Sequence, residues 1–258
     1  MPAAAQQPPA EKAPWRPPEF RDLFTAAERA HSHVQARSFD LYFWPYLDGQ
    51  WEGIVCDSDG RVWFSAGCHD GTQHAQVFRY DPASDRVDHV ADMGEACGEK
   101  LTGNSHQGKI HSRMFDGGAG IYFGTCMANV YTNHPYRGAH WLKIDKKTGV
   151  VTNLGKAISE DSLITVEYDA RNKLLYGHSA LKGWLTVFDL ASGKEKDLGI
   201  PWSDSFIPFP RGLSLMIAPD SKVYGVKPPG VRFWQYDPST GKISNLDVDV
   251  PAPADVTA

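Results

Sequence analysis

The chain has 258 residues and a formal net charge of −5, with 41% hydrophobic and 12% aromatic residues. This length supports a full hydrophobic core, and the absence of a Lys- and Arg-rich block argues against a nucleic-acid partner. No apolar run reaches the roughly 18 residues of a membrane span, so we expect no membrane partner either.

The N-terminal residues 1–18 are rich in Ala, Pro and Gln. They lack the apolar core of an intact signal peptide, so we interpret them as a disordered lead-in of the kind that follows a removed signal. Residues 19–258 are predicted to form a single domain. Within 19–37, Thr25 and Glu28 have the spacing of a capping box and predict a short helix.

From Trp51 onward a pattern of four strands repeats along the chain. The third strand of each repeat ends in an aspartate, and these lie at Asp81, Asp145, Asp189 and Asp237. Their separations are 64, 44 and 48 residues. Four strands with a period in the forties are typical of a β-propeller, and the 24 glycines and 18 prolines suit an all-β fold rich in turns. We therefore predict four-stranded blades over 51–98, 104–158, 161–206 and 209–251.

Two further features of the repeats concern turns and loops. Aspartate can cap the turn after the third strand while Gly149, Gly193 and Gly241 adopt positive φ. The second repeat is longer by about 16–20 residues, inserted between Gly124 and Ala139, and such insertions often lie on a binding face. Four units are fewer than the commonest rings contain, and an open ring would leave two sheet edges that favour self-association.

The most unusual stretch is 105–112, which contains His106, Gln107, Lys109 and His111. These groups are costly to bury without partners, so a strand that carries them is typical of the wall of a site. Strand alternation places Gln107, Lys109 and His111 on one face.

Four other residues are candidates for the same site. His134 lies in the inserted loop, and His140 precedes the strand 141–144. Tyr176 ends an inner strand of the third repeat, and Arg211 opens the innermost strand of the fourth. For each of them a packed, solvated or salt-bridged structural role is the alternative.

The four cysteines, Cys56, Cys68, Cys97 and Cys126, have spacings that match no zinc knuckle. Buried thiols, a disulfide and a metal site all remain open as interpretations. Cys68 and His69 are adjacent metal-type ligands and are the candidates for a structural zinc or calcium site.

Four short segments resemble the β-propeller polysaccharide lyases, namely the ulvan lyases and the related rhamnose–glucuronate lyases. The segments are 51–53 (Trp-Glu-Gly), 107–111 (Gln-Gly-Lys-Ile-His), 138–141 (Gly-Ala-His-Trp) and 210–213 (Pro-Arg-Gly-Leu). The resemblance implies a seven-bladed ring, relative to which four repeats would be incomplete or truncated. It also implies a cleft on the central face in which His, Tyr and Arg residues act on a uronic acid.

The reaction implied by this resemblance is β-elimination, which needs a neutralised carboxylate, a base for the C5 proton and an acid for the leaving oxygen. We predict that His111, with His134 or Tyr176, transfers the protons. Arg211 would hold the carboxylate, and Gln107, Lys109 and His140 would bind the rest of the substrate. No cofactor is required. The expected partner is an acidic polysaccharide or oligosaccharide, and the expected location is secreted or periplasmic.

Two alternatives remain. One is a non-catalytic propeller that binds a glycan or a protein. The other is a metal-dependent, lactonase-like hydrolase, for which Glu52 and Glu167 are the few acids on innermost strands. The chain lacks a Gly-x-Ser-x-Gly elbow, a P-loop and a Rossmann fingerprint, which disfavours a serine hydrolase, an NTPase and a nicotinamide enzyme.

Overall fold

The computed structural model describes residues 39, 41, 44, 46–69, 71–100, 106–128, 136–201, 215–227, 232–246 and 248. The predicted lead-in, the predicted helix within 19–37, and the site candidates His134 and Arg211 lie outside these residues. The chain divides into the units Met1–Asp40 and Leu41–Ala258, and every described strand belongs to the second. Among the described helices, none has the length and apolar character that crossing a bilayer requires.

The described strands form four antiparallel sheets of four strands each, and the strands of each sheet are consecutive in the chain. Blade 1 comprises β1 (Ile54–Cys56), β2 (Val62–Ala66), β3 (Gln76–Asp81) and β4 (Arg86–Asp92). Blade 2 comprises β5 (Phe115–Asp116), β6 (Gly120–Gly124), β7 (Ala139–Asp145) and β8 (Val151–Ile158). Blade 3 comprises β9 (Leu163–Asp169), β10 (Leu174–Ser179), β11 (Leu185–Asp189) and β12 (Lys194–Gly199). Blade 4 comprises β13 (Leu215–Ile217), β14 (Val223–Lys227), β15 (Arg232–Asp237) and β16 (Lys242–Leu246). This architecture confirms the predicted all-β fold of four-stranded blades.

The turns between the third and fourth strands form as the sequence predicts. In blade 2, Asp145 Oδ1 accepts hydrogen bonds from the backbone N of Lys147 at 3.0 Å and of Thr148 at 2.8 Å. Gly149 then adopts a φ of 74°, which a residue with a Cβ rarely does. Asp189 and Asp237 accept equivalent backbone bonds in blades 3 and 4.

The core lies between neighbouring blades and has three clusters, each containing one buried tryptophan. Trp63 lies between blades 1 and 2, Trp141 between blades 2 and 3, and Trp234 between blades 3 and 4. Their exposed fractions are 0%, 0% and 1%. Each indole removes a large apolar surface from water, so burial between sheets is the main force that holds blade to blade.

A short helix that the sequence analysis did not predict, α1 (Met93–Cys97), follows blade 1. Asp92 caps its N-terminus by accepting bonds from the backbone N of Gly94 and Glu95, and Gly98 ends it with a φ of 68°. Glu99, which contacts Gln107 and His140, follows directly after the helix cap.

The prediction of a strand over 107–111 is wrong, because the innermost strand of blade 2 covers only Phe115–Asp116. Before that strand, the backbone bonds to two blades instead of one. The carbonyl of Gln107 accepts from Ala75 N at 2.8 Å, and Lys109 forms an isolated antiparallel bridge with Cys126. The segment therefore spans from the 67–75 loop of blade 1 to the end of β6 in blade 2.

Candidate functional site

The indole of Trp51 is the centre of a group of basic side chains that we call the Trp51 cluster: Trp51, His69, Lys109 and His111. Lys109 Nζ lies 4.4 Å from the centroid of the indole. The His111 ring lies 6.2 Å from it at an interplanar angle of 26°, and the His69 ring meets it edge-on at 4.7 Å. Gly67 makes room for the indole, since a Cβ there would approach Trp51 Cζ3 to 2.8 Å.

Lys109 is a nearly buried cation in this cluster. The residue is only 8% exposed, and no carboxylate of the described chain lies within 4.0 Å of its ammonium. Burial lowers the pKa of Lys109, although Cys126 and Asp48 oppose that shift. The indole face offers its quadrupole to the ammonium but no full negative charge. A carboxylate from a ligand would supply that charge.

His111 has one ring nitrogen fixed by the third blade. Its Nδ1 lies 3.1 Å from the carbonyl oxygen of Ile164, which can only accept, so Nδ1 carries the hydrogen. In the neutral ring, Nε2 then holds the lone pair. Burial lowers the pKa of His111 below its ordinary value, and Lys109 adds to the effect. The neutral form with a basic Nε2 is therefore favoured near pH 7.

A second feature, the inner cavity, has a volume of about 390 Å³ and lies beside the innermost strands. Every blade contributes to its lining, which consists of Glu52, Arg113, Thr165, Glu167, Tyr168, Leu215, Met216 and Ile217. Arg113 Nη1 lies 3.7 Å from Glu167 Oε1. Burial raises the pKa of Glu167, and the nearby charge of Glu52 raises it further, whereas Arg113 lowers it.

Thr165 adds an unusual hydroxyl to this lining. The residue is 5% exposed, and its Oγ1 has no hydrogen-bond partner among the described residues. Buried hydroxyls are nearly always bonded, so this one marks the cavity wall as a place where a ligand group is expected.

The Trp51 cluster and the inner cavity are contiguous. Trp51 and Glu52 are adjacent in the chain, and Arg113 follows His111 by two residues. His111 is bonded to the carbonyl of Ile164, the residue before Thr165. The charge of Glu52 also acts on His111 and opposes the lowering of its pKa by burial, so the cavity lining and the cluster interact.

Gln107 and His140, predicted to bind substrate, are joined by a residue that the sequence analysis missed. Glu99 Oε2 accepts from Gln107 Nε2 at 3.1 Å, and Glu99 Oε1 lies 3.4 Å from His140 Nε2. Tyr136 donates to Gln107 Oε1 at 2.8 Å. Burial raises the pKa of Glu99, but the contact with His140 and the hydrogen bond from Gln107 outweigh burial and hold the pKa below its usual range.

This network is too buried for direct contact with a large ligand, since Gln107 is 0% and His140 8% exposed. Its position immediately before Gly108 and Lys109 instead suits it to fix the backbone that presents Lys109. Asn153 completes the network, with its Oδ1 3.2 Å from His140 Nδ1.

Tyr176 is not brought to this site. It is 1% exposed and packs against Tyr236 between blades 3 and 4, with ring centroids 6.1 Å apart. Burial raises the pKa of Tyr176 well above its ordinary value, which favours the neutral phenol. Its surroundings are those of a core residue, and it is not part of the inner cavity lining.

Cys68 and His69, the predicted metal ligands, each contact another side chain. Cys68 Sγ lies 3.6 Å from Thr72 Oγ1, and His69 Nδ1 lies 3.0 Å from Asp48 Oδ1. In the part of the chain that the structure describes, no group of three or more His, Cys, Asp or Glu residues is arranged to hold a metal ion. None of the four cysteines, all of which are described, forms a disulfide.

The residues that line the inner cavity were only partly accessible to sequence analysis. Glu52 and Glu167 were both predicted to lie on innermost strands, which is confirmed for Glu167 on β9, whereas Glu52 lies two residues before β1. Arg113 was missed, although alternation places it on the face of His111. Thr165 was missed because nothing in the sequence distinguishes a threonine with a bonded hydroxyl from one without.

The fold and site together define a propeller-class, all-β protein with a cavity beside its innermost strands. Its fold is similar to that of virginiamycin B lyase from Staphylococcus aureus, with a TM-score of 0.52 and 11% identity over 78% of this chain and 57% of that protein. An auxiliary nutrient binding protein from Bacteroides thetaiotaomicron follows at a TM-score of 0.47, with 14% identity over 76% of this chain and 41% of that one. TolB from Acinetobacter baumannii also gives 0.47, with 13% identity over 76% of this chain and 43% of that one.

These similarities concern the fold alone, because the identities are far too low to align site residues. The chain spans 57% of the length of virginiamycin B lyase. No family model and no curated protein matches the sequence.

Proposed function

We propose that this protein is a carbohydrate-active propeller that cleaves a uronic-acid-containing glycan by β-elimination at the Trp51 cluster. One observation carries the proposal. The nearly buried ammonium of Lys109 has no carboxylate partner among the described residues and shares the indole of Trp51 with His111. A cation that needs an anion thus lies beside a histidine that favours its neutral, basic form.

The proposed chemistry assigns one step to each side chain. The uronate carboxylate pairs with Lys109, which stabilises the negative charge that develops when C5 loses its proton. His111 Nε2 takes that proton. The C4–O bond then breaks, a C4–C5 double bond forms, and a proton is delivered to the leaving oxygen. His134 remains our proposal for that proton donor, and Arg211 remains one for a second carboxylate contact. Tyr176 is no longer proposed for proton transfer.

The fold is compatible with this chemistry, since one propeller of similar fold is by its name a lyase. The residues of the Trp51 cluster, and not that similarity, support the proposal. The partner we propose is an acidic polysaccharide or oligosaccharide, and the location secreted or periplasmic. The steps assigned above use no cofactor, and a structural zinc or calcium at Cys68 and His69 would need ligands beyond these two.

The test is incubation of the full chain with ulvan, rhamnose–glucuronate glycans and pectic fragments. We expect ultraviolet absorbance from an unsaturated uronate. His111→Ala should reduce kcat by about 10²–10⁴-fold, the usual contribution of a general base. Lys109→Met should raise KM, because Lys109 binds the carboxylate of the substrate, and should reduce kcat, because Lys109 also stabilises the charge that develops in the transition state.

The matched control is Lys143→Met, since Lys143 also lies over an aromatic ring, that of Tyr122 at 5.8 Å, but is on β7 away from the cluster. It should leave turnover unchanged. Absence of product from every uronate substrate would exclude the proposal, as would full activity in His111→Ala.

A second candidate function is glycan binding without turnover. The burial of Tyr176 between blades 3 and 4 favours it, because a predicted proton donor is thereby removed from the site. In that case, an oligosaccharide would bind in a Lys109-dependent manner and remain intact. The lactonase-like alternative predicts instead that a chelator abolishes activity.

A further inference from the structure

We infer that the inner cavity binds a ligand group that carries an ammonium. For the glycan of the proposed function, on which this part of the inference rests, the group would be the free amine of a hexosamine next to the uronate.

The ionised lining has more negative than positive charge. Glu52 and Glu167 contribute two carboxylates, and Arg113 contributes one guanidinium, which already lies 3.7 Å from Glu167. With both acids ionised, the lining has a net charge of −1. Burial is the largest cause of the raised pKa of Glu167, while Arg113 lowers that pKa and Glu52 raises it. One guanidinium against two carboxylates therefore leaves one negative charge in excess. An anionic ligand group would be repelled here and a cationic one attracted.

The unpartnered hydroxyl of Thr165 points to a ligand independently of the charges. Thr165 is 5% exposed, and among the described residues its Oγ1 has no partner. A hydroxyl can accept a hydrogen bond, and a primary ammonium has three hydrogens to donate. An ammonium between two carboxylates and this hydroxyl would therefore find acceptors for all three.

The position of the cavity extends the site along the ligand. The basic Trp51 cluster suits a carboxylate, and Glu52, the next residue after Trp51, begins the acidic lining. The sign of the charge thus reverses over one residue. Leu215 and Met216 add an apolar wall, and Met216 is 62% exposed. A volume of about 390 Å³ lies within the range of ordinary ligand sites.

The binding experiment uses the full chain with His111→Ala, so that no probe is cleaved. Calorimetry compares two glucuronate–glucosamine oligosaccharides of equal length, one with free amines and one with every amine acetylated. The two probes differ only in the positive charge and the acetyl group. We expect the free-amine probe to bind at least about tenfold more tightly, the ratio that one charge-assisted hydrogen bond supplies.

Variants locate the effect in the inner cavity. Glu52→Gln and Glu167→Gln should each reduce the preference for the free amine, whereas Glu160→Gln, an exposed acid paired with Lys182 at 3.9 Å, should not. Thr165→Val should weaken binding, and Thr165→Ser should restore it. The control Thr152→Val replaces an exposed threonine on β8 and should have no effect. Thermal melts confirm that each variant is folded.

Glucosamine and N-acetylglucosamine as single sugars separate this inference from the lyase proposal. A preference for glucosamine that depends on Glu52 would support the inference even if no uronate glycan is cleaved. Equal binding of amine and acetylated probes, or a preference untouched by Glu52→Gln and Glu167→Gln, would overturn it even if cleavage is observed.

Discussion

The tautomer of His111 depends on a hydrogen bond to a residue 53 positions away in the chain, at the carbonyl of Ile164. That bond fixes which ring nitrogen carries the hydrogen, and burial then lowers the pKa. His69 lies against the same indole, but its Nδ1 is 3.0 Å from Asp48 Oδ1. The two histidines that contact Trp51 therefore have different partners at Nδ1, a backbone carbonyl for His111 and a carboxylate for His69.

Titration of His111 by nuclear magnetic resonance tests this account. We expect a midpoint below the ordinary histidine value of about 6.5, with hydrogen on Nδ1 in the neutral ring. The unfolded chain would bind a proton at a pH where the folded chain does not, so His111 should reduce stability as the pH falls below about 6.5. A midpoint at or above that value, or hydrogen on Nε2, would contradict the assignment of Nε2 as base.

For single residues, the sequence indicated which segment carries the site but not which side chains its residues contact. Lys109 and His111 were predicted because ionisable groups in an apolar neighbourhood are unusual. Glu99, which joins Gln107 to His140, was not predicted, because its contacts depend on how two blades pack. Tyr176 was assigned to the site from its position at a strand end, but the side chain packs between blades.

The blades are the elements that the sequence predicts best, since their turns are encoded locally. Aspartate and glycine at fixed spacing define where each outer hairpin closes, as Asp145 and Gly149 show in blade 2. The innermost segment of blade 2 was predicted less well. Its backbone satisfies its hydrogen bonds on two blades at once, and no local pattern indicates that.

Helix α1 was missed although its cap is readable, since Asp92 is followed three residues later by Glu95 and by Gly98 after the last turn. Five helical residues are too few to show a helical periodicity of apolar residues, so the capping residues were the only sequence signal for this helix. The helix matters because it places Glu99 against Gln107 and His140.

We predict that Asp92→Ala lowers the free energy of unfolding by about 1–2 kcal/mol, through loss of the cap and of one side-chain hydrogen bond. Asp92 Oδ1 accepts from Gly94 N at 2.7 Å, and Oδ2 accepts from Gln76 Nε2 at 2.6 Å. Urea denaturation measures the effect, and Asp92→Asn, which keeps an acceptor oxygen, should lose less. Equal stability of Asp92→Ala and the unaltered chain would show that α1 is held by packing alone.

Across the whole molecule, the blades are joined by the tryptophan clusters and by Lys146. Lys146 Nζ donates to Ser58 Oγ of blade 1 at 2.8 Å and to Asp116 Oδ2 of blade 2 at 2.9 Å. Burial raises the pKa of Asp116, but bonds from the Ser58 amide and from Lys146 more than offset this and lower it. A single ammonium thus connects the turn between β1 and β2 to the innermost strand of the next blade.

Replacing Lys146 by Met should destabilise the protein by about 1–3 kcal/mol, because Asp116 would keep its burial and lose a charged donor. The side chain of Asp116 is only 16% exposed. Chemical denaturation followed by tryptophan fluorescence measures the change. Lys147→Met, at the exposed neighbouring position, provides the control and should have little effect. If both variants unfold at the same denaturant concentration, the blades do not depend on this contact.

The inner cavity has a consequence for how the molecule responds to occupancy. Because its wall combines strand residues of blades 3 and 4 with Glu52 and Arg113, which precede the first strands of blades 1 and 2, a bound molecule would contact parts of all four blades at once. Pulling any one sheet away would then require breaking contacts with the guest as well as with the adjacent sheet. A ligand bound in the inner cavity would therefore raise the free energy of unfolding of all four blades together. The stabilisation would include the outer strands, which the ligand does not contact.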